Sequence, residues 1–164
     1  MAHAGAPVTL EKLKLRMRSR PSNSRARGLL VAAVRETYEE TGLLFGRPEA
    51  GSPVDLSGIT YFARAITPPG RSRRFDSRFF VANANLLSNL DQPHPLESAE
   101  LLRLSWVSLA EAMDLNLPSI TRDILQLLQP HIDQNSLPPV DCPVSFHYNR
   151  GKSWIVEMLS HSKT

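Results

Sequence analysis

Cysteine is almost missing from this chain: Cys142 is the only one in 164 residues. With no second thiol an internal disulfide is impossible, and a reducing compartment such as the cytoplasm fits better than a secreted one. Long apolar runs are missing too. No stretch approaches the roughly 18 continuous apolar residues that a membrane helix needs, so a membrane-spanning helix is not expected. No short period marks internal repeats, and the length suits one ordinary domain with a real core.

Acidic residues are absent between Glu11 and Arg35, where Lys12, Lys14, Arg16, Arg18, Arg20, Arg25 and Arg27 accumulate in a chain of net charge only +3. Such a segment can contact nucleic acid or an anionic surface, or it can be a solvated helix and linker. Its Arg-rich, acid-poor composition also resembles a targeting peptide, although Arg25 and Arg27 already belong to the next helix. Aromatic residues do not interleave with the basic ones as they do in single-strand binders, so nucleic acid is not the expected partner.

The pattern of apolar residues divides the remainder. Thr9 is a candidate cap for a short helix with Leu10, Leu13 and Met17 on one face, ended by Pro21. Ser22, Asn23 and Ser24 are candidate caps for a long helix over 25–41, with Gly42 as the residue that stops it. A short strand is expected at 43–45, a loop over 46–58, a strand over 59–66, and a turn at Thr67-Pro68-Pro69-Gly70. Residues 73–82 alternate, with Phe75, Ser77, Phe79 and Val81 opposite Asp76, Arg78 and Phe80. Beyond a loop at 83–95, residues 101–107 form a strand candidate, with Trp106 expected in the core. Ser108 then caps a short helix through Met113, and an amphipathic helix over 119–129 ends at Pro130. Apolar runs 144–148 and 154–159, separated by Asn149-Arg150-Gly151-Lys152, predict a hairpin, and Met113 and Met158 are expected as apolar filling. Helices and strands mix without regular alternation, which indicates the α+β class or a mixed sheet with helices on both sides.

One stretch makes no local electrostatic sense. Arg35-Glu36-Thr37-Tyr38-Glu39-Glu40-Thr41-Gly42-Leu43 closes the long helix with three glutamates. At about 100° per residue their carboxylates fall within roughly a third of a turn, where like charges repel and where acids oppose the helix dipole. A divalent cation reverses the sign of that interaction. The bland alternative is a solvated acidic face, with Arg35 paired to Glu39 four residues on.

This stretch resembles the second half of the Nudix hydrolase signature, GX5EX7REUXEEXGU with U aliphatic. Arg35-Glu36, Glu39-Glu40, Gly42 and Leu43 match it, and Thr37 departs from the aliphatic position. The first half is missing at the usual spacing, because its glycine falls on Pro21 and its glutamate on Arg27. The run from Thr67 to Phe80 is similar to a stretch in the subgroup related to coenzyme A diphosphatases, and Leu104–Ala112 is similar to a strand-then-helix turn common across the family.

The resemblance implies a mixed sheet flanked by helices in an α/β/α sandwich, with a basic segment at 1–23 preceding a Nudix-like domain over 24–164. It implies hydrolysis of a nucleoside diphosphate linked to another moiety such as coenzyme A or a second nucleotide. Mg²⁺ or Mn²⁺ is expected on Glu36, Glu39 and Glu40, with Glu39 and Glu40 also catalytic. Arg35 is expected to orient a glutamate. Arg73 and Arg74 are candidates to grip phosphate, with Arg71 and Arg78 nearby. Glu100, or its neighbour Glu97, is a candidate general base, and His94 a weaker candidate for substrate contact. A catalytically impaired ligand-binding module is the alternative. The resemblance also implies that the chain starts after the glycine-rich loop, which predicts an exposed sheet edge and a less stable or homo-oligomeric protein.

Overall fold

The computed structural model describes residues 5–18, 20–46, 56–91 and 105–160. Two compact units emerge from its contacts, one comprising Met1–Ile59 with Ala82–Ser105, the other Thr60–Val81 with Trp106–Thr164.

The first unit is built on α1 (Gly5–Lys14) packed against α2 (Asn23–Thr41). Thr9 does not cap α1. It lies in mid-helix, fully buried, and its hydroxyl donates to the Ile59 carbonyl at 2.8 Å. A hydroxyl buried in a helix interior must find an acceptor, and the first residue of a strand supplies one. Leu13 and Lys12, one turn further on, are buried as well. The helix also ends well before Pro21, and Arg16 then turns the chain with a φ of 54°.

The long helix α2 follows its expected bounds closely. Ser22 caps it, its hydroxyl accepting from the Arg25 N–H at 3.2 Å, and Ala26 and Leu30 on its inner face are wholly buried. Gly42 ends it at a φ of 69°, in the left-handed region where a side chain would be strained. The strand expected at 43–45 is reduced to a bridge between Phe45 and Leu87. Most of the loop expected at 46–58 lies outside the described residues.

The second unit carries most of a four-stranded mixed sheet in the order β2-β1-β3-β4. Its strands are β1 (Ile59–Ile66), β2 (Asp76–Ala82), β3 (Val144–Arg150) and β4 (Ser153–Leu159). β1 runs parallel to β3, with Ala63 beside Ser145 and Ala65 beside His147, and β3 pairs antiparallel with β4. The hairpin turns at Gly151, where φ is 60°. β1 is an inner strand and is buried along nearly its whole length, as its continuous β-rich run predicts. β2 starts three residues later than expected, because 71–75 stay exposed after the Gly70 turn. Its alternation holds: Phe79 and Val81 pack on a core of Phe62, Ala63 and Ile124, while on the other face Asp76 pairs with both Arg64 and Arg78.

Two helices complete this unit, α3 (Leu109–Asp114) and α4 (Ser119–Asp133). Ser108 forms a reciprocal capping box with Glu111, and those hydrogen bonds hold the Glu111 carboxyl below the usual carboxylate range. α4 does not end at Pro130 but continues to Asp133. Near a helix end a proline forfeits a single backbone bond, which the last turn tolerates. Of the strand expected at 101–107, residues 105–107 are irregular and the rest lie outside the described residues. Trp106 is correspondingly 66% exposed rather than part of the core. Met158 is exposed as well, because it lies on β4 at the sheet's edge. The class is therefore α+β with a mixed sheet and helices, as expected.

Candidate active site

Arg35, Glu36, Glu39 and Glu40 all lie on the outer surface of α2, and all four are exposed. The Arg35 guanidinium sits 3.4 Å from the Glu39 carboxylate, the i, i+4 pair of the bland reading. Pairs this exposed contribute only about 0.3–0.5 kcal/mol. The glutamates are spread at helical spacing and are not drawn together. Among the described residues no group of three or more His, Cys, Asp or Glu side chains stands close enough to hold an ion, so the expected metal centre is not preassembled.

The donor set still suits a hard cation. It is made only of oxygens, it faces solvent, and a turn about side-chain rotamers would gather it. Thr37, the departure from the aliphatic position, is satisfied within the helix: its hydroxyl donates to the Ala33 carbonyl at 2.9 Å. Thr41 in turn bonds to the Thr37 carbonyl and accepts from the Leu43 N–H at 3.2 Å.

What fixes the end of this helix was not apparent from the sequence. Asn89 accepts the Leu44 N–H at 2.7 Å and donates to the Gly42 carbonyl at 2.9 Å. Ser88 adds an N–H bond to the Leu44 carbonyl at 2.9 Å, and Gly46 bonds to Leu86 at 2.8 Å. A short 3-10 turn at Ala84–Leu86, opened by Asn83, delivers these residues. The glycine turn after the glutamates is thus clamped by a segment about 45 residues away. An asparagine's aptitude for bonding backbone was the available signal, but its partner was not readable.

The other expected residues are placed differently. Arg73 and Arg74 are exposed in the second unit, where the Arg74 Nε donates to the Thr67 carbonyl at 3.2 Å. Arg78 is committed to Asp76, its terminal nitrogen 3.6 Å from the carboxylate. Glu100, Glu97 and His94 lie outside the described residues. In the basic segment Lys12 is buried and Lys14 pairs with Glu11 at 2.6 Å, which removes two of its seven charges from the free surface.

These features, a helix closed by Arg-Glu-x-x-Glu-Glu-x-Gly and a mixed sheet with helices, define the class of protein. The NUDIX domain model matches residues 26–128. The chain belongs to the Nudix family, whose members hydrolyse derivatives of nucleoside diphosphates. Neither a curated protein nor a solved structure matches it. Among the described residues no helix is long and apolar enough to cross a membrane.

Proposed function

We propose that the chain hydrolyses a nucleoside diphosphate linked to another moiety, coenzyme A or a dinucleotide being the substrates its sequence resemblance favours, by attack of water on the diphosphate. The observation that carries this reading is the α2 terminus: Glu36, Glu39 and Glu40 on one exposed surface, followed by a left-handed glycine turn clamped through Asn89. Those three carboxylates would hold Mg²⁺ or Mn²⁺, which when bound neutralises phosphate charge and lowers the pKa of a coordinated water. Arg35 acts on Glu39, holding the carboxylate on the shared surface, and does not touch substrate. Arg73 and Arg74 in the second unit, and Glu100 outside the described residues, carry no part of this proposal.

A second reading has an observation of its own. The glycine-rich half of the signature is missing at its usual spacing, and the carboxylates are not gathered, which supports a ligand-binding module without turnover. Incubation with a panel of dinucleotides, sugar nucleotides and coenzyme A separates the two. Hydrolysis is expected to require Mg²⁺ or Mn²⁺ and to disappear in a Glu39→Gln/Glu40→Gln double variant. Saturable binding of the same compounds with no product would replace the hydrolase by the binding module.

A further inference from the structure

The second unit contains a cavity of about 380 Å³ that the α2 chemistry does not use, a volume within the range of small-molecule sites. The C-terminal end of β1, the middle of β2, the first turns of α4 and Trp154 at the start of β4 enclose it. Much of its wall is apolar, with Ala65, Phe79, Ile120 and the Trp154 indole.

Two charges of opposite sign line the same cavity, Asp123 on α4 and Arg71 in the turn before β2. Both are exposed, and neither forms an ion pair or hydrogen bond with another described residue or with the other. The Asp123 charge acts on His147, whose ring lies 6.1 Å from that of Trp154. Burial depresses the His147 pKa, the Asp123 charge opposing it only in part. A neutral imidazole leaves the Asp123 charge uncompensated. On the same wall, α4 begins at Pro118, which provides no side-chain cap, so Ser119 and Ile120 open a helix whose first N–H groups keep their donor capacity.

This combination discriminates among ligand classes. A purely apolar molecule would strip water from both charges without replacing it. An anion would face Asp123, and a cation would face Arg71. A molecule carrying both signs on an apolar body satisfies each charge and the wall between them. We propose that the cavity binds a small dipolar ion, an ammonium and a carboxylate on one apolar body as in a free aliphatic amino acid. Asp123 takes the ammonium, Arg71 takes the carboxylate, and the body lies against Trp154, Phe79 and Ile120. This assignment is independent of the hydrolase reading, since it rests on the second unit alone.

The test uses the full chain carrying Trp106→Phe, which leaves Trp154 as the only indole among the two tryptophans of the sequence. Its fluorescence is titrated with leucine, leucine methyl ester and N-acetylleucine. Leucine is expected to give a saturable change. The ester lacks the carboxylate and the acetyl derivative lacks the ammonium, and neither is expected to saturate over the same range. Asp123→Asn and Arg71→Gln, both at exposed positions and checked for folding by circular dichroism, are each expected to weaken leucine by roughly tenfold or more, the factor one charged hydrogen bond contributes. The proposal is overturned if leucine gives no saturable change in the folded protein, if either derivative binds as tightly, or if either folded variant retains full affinity.

Discussion

Arg64 occupies the interior of β1, 1% exposed, with its guanidinium in two bonds of 2.7 Å to Asp76 and its carbon 4.8 Å from the centre of the Phe146 ring. A planar fork matched to a carboxylate and stacked on a ring offsets much of the desolvation that burial imposes. Its field also bears on Tyr61, whose hydroxyl burial nevertheless pushes up to about 12. Arg64→Ala would leave Asp76 with Arg78 as its remaining arginine, a change expected to cost about 3–5 kcal/mol. At roughly 2–4 °C per kcal/mol for a chain of this size, thermal melts should fall by about 10 °C, and Arg64→Lys should recover only part of that. That Asp76 lies among arginines, Arg71, Arg73, Arg74 and Arg78, was legible in the sequence. That the main partner sits twelve residues back in an apolar strand was not, because strand alternation says which residues share a face and not which strand lies alongside. His147 adds a second residue-scale expectation. Its ring bonds to the Ser145 hydroxyl at 2.9 Å while Nδ1 is buried with no partner among the described residues, and burial lowers its pKa. A histidine held neutral in the fold takes up fewer protons than its unfolded counterpart, so its contribution is complete above the ordinary value of roughly 6.5 and is lost as pH falls below it. Melting temperature should therefore decline from about pH 7.5 to about pH 5.5, and His147→Gln should flatten that decline. An unchanged slope in the variant would remove His147 from the account.

At the scale of elements, the α2 terminus depends on a side chain that no helix rule identifies. Asn89→Ala removes both bonds to the Gly42–Leu44 turn, leaving a backbone donor and an acceptor without partners, and is expected to cost about 1–3 kcal/mol. Asn89→Asp keeps the acceptor for the Leu44 N–H but loses the donor to Gly42, so its melting temperature should fall between those of Ala and the parent. Equal melting temperatures for all three would mean that the clamp contributes nothing. Elements governed by their own residues were the legible ones. β1 and the β3–β4 hairpin appear at their expected positions, α2 runs from a serine cap to a glycine stop, and Ser108 opens α3. The failures have separate physical causes. Thr9 looks like a cap until the Ile59 carbonyl gives its hydroxyl a buried acceptor. Pro130 looks like a stop, yet α4 continues for one more turn. Trp106 looks like core, but the segment that carries it has no regular structure at 105–107.

For the whole molecule, the proposed chemistry lies on α2, while the structure leaves its three carboxylates spread over an exposed surface near the negative end of the helix dipole. Repulsion between neighbours on that surface works against the fold by a few tenths of a kcal/mol per pair. The Arg35–Glu39 pair returns a similar amount. Replacing Glu39 and Glu40 by glutamine removes both effects, so the double variant should melt within about 1 °C of the parent when divalent ions are chelated. The two proteins should diverge when Mg²⁺ is added. An ion that binds only the native state at a hundred times its dissociation constant stabilises by about 2.7 kcal/mol, equivalent to roughly 5–10 °C here. The parent should therefore rise with Mg²⁺ concentration while the double variant stays flat, whether or not any substrate is turned over. Because melting requires no product, this measurement separates a metal site from an active enzyme. A rise of equal size in both proteins would place the ion elsewhere in the chain, and no rise in the parent would leave the three glutamates as a solvated face of α2.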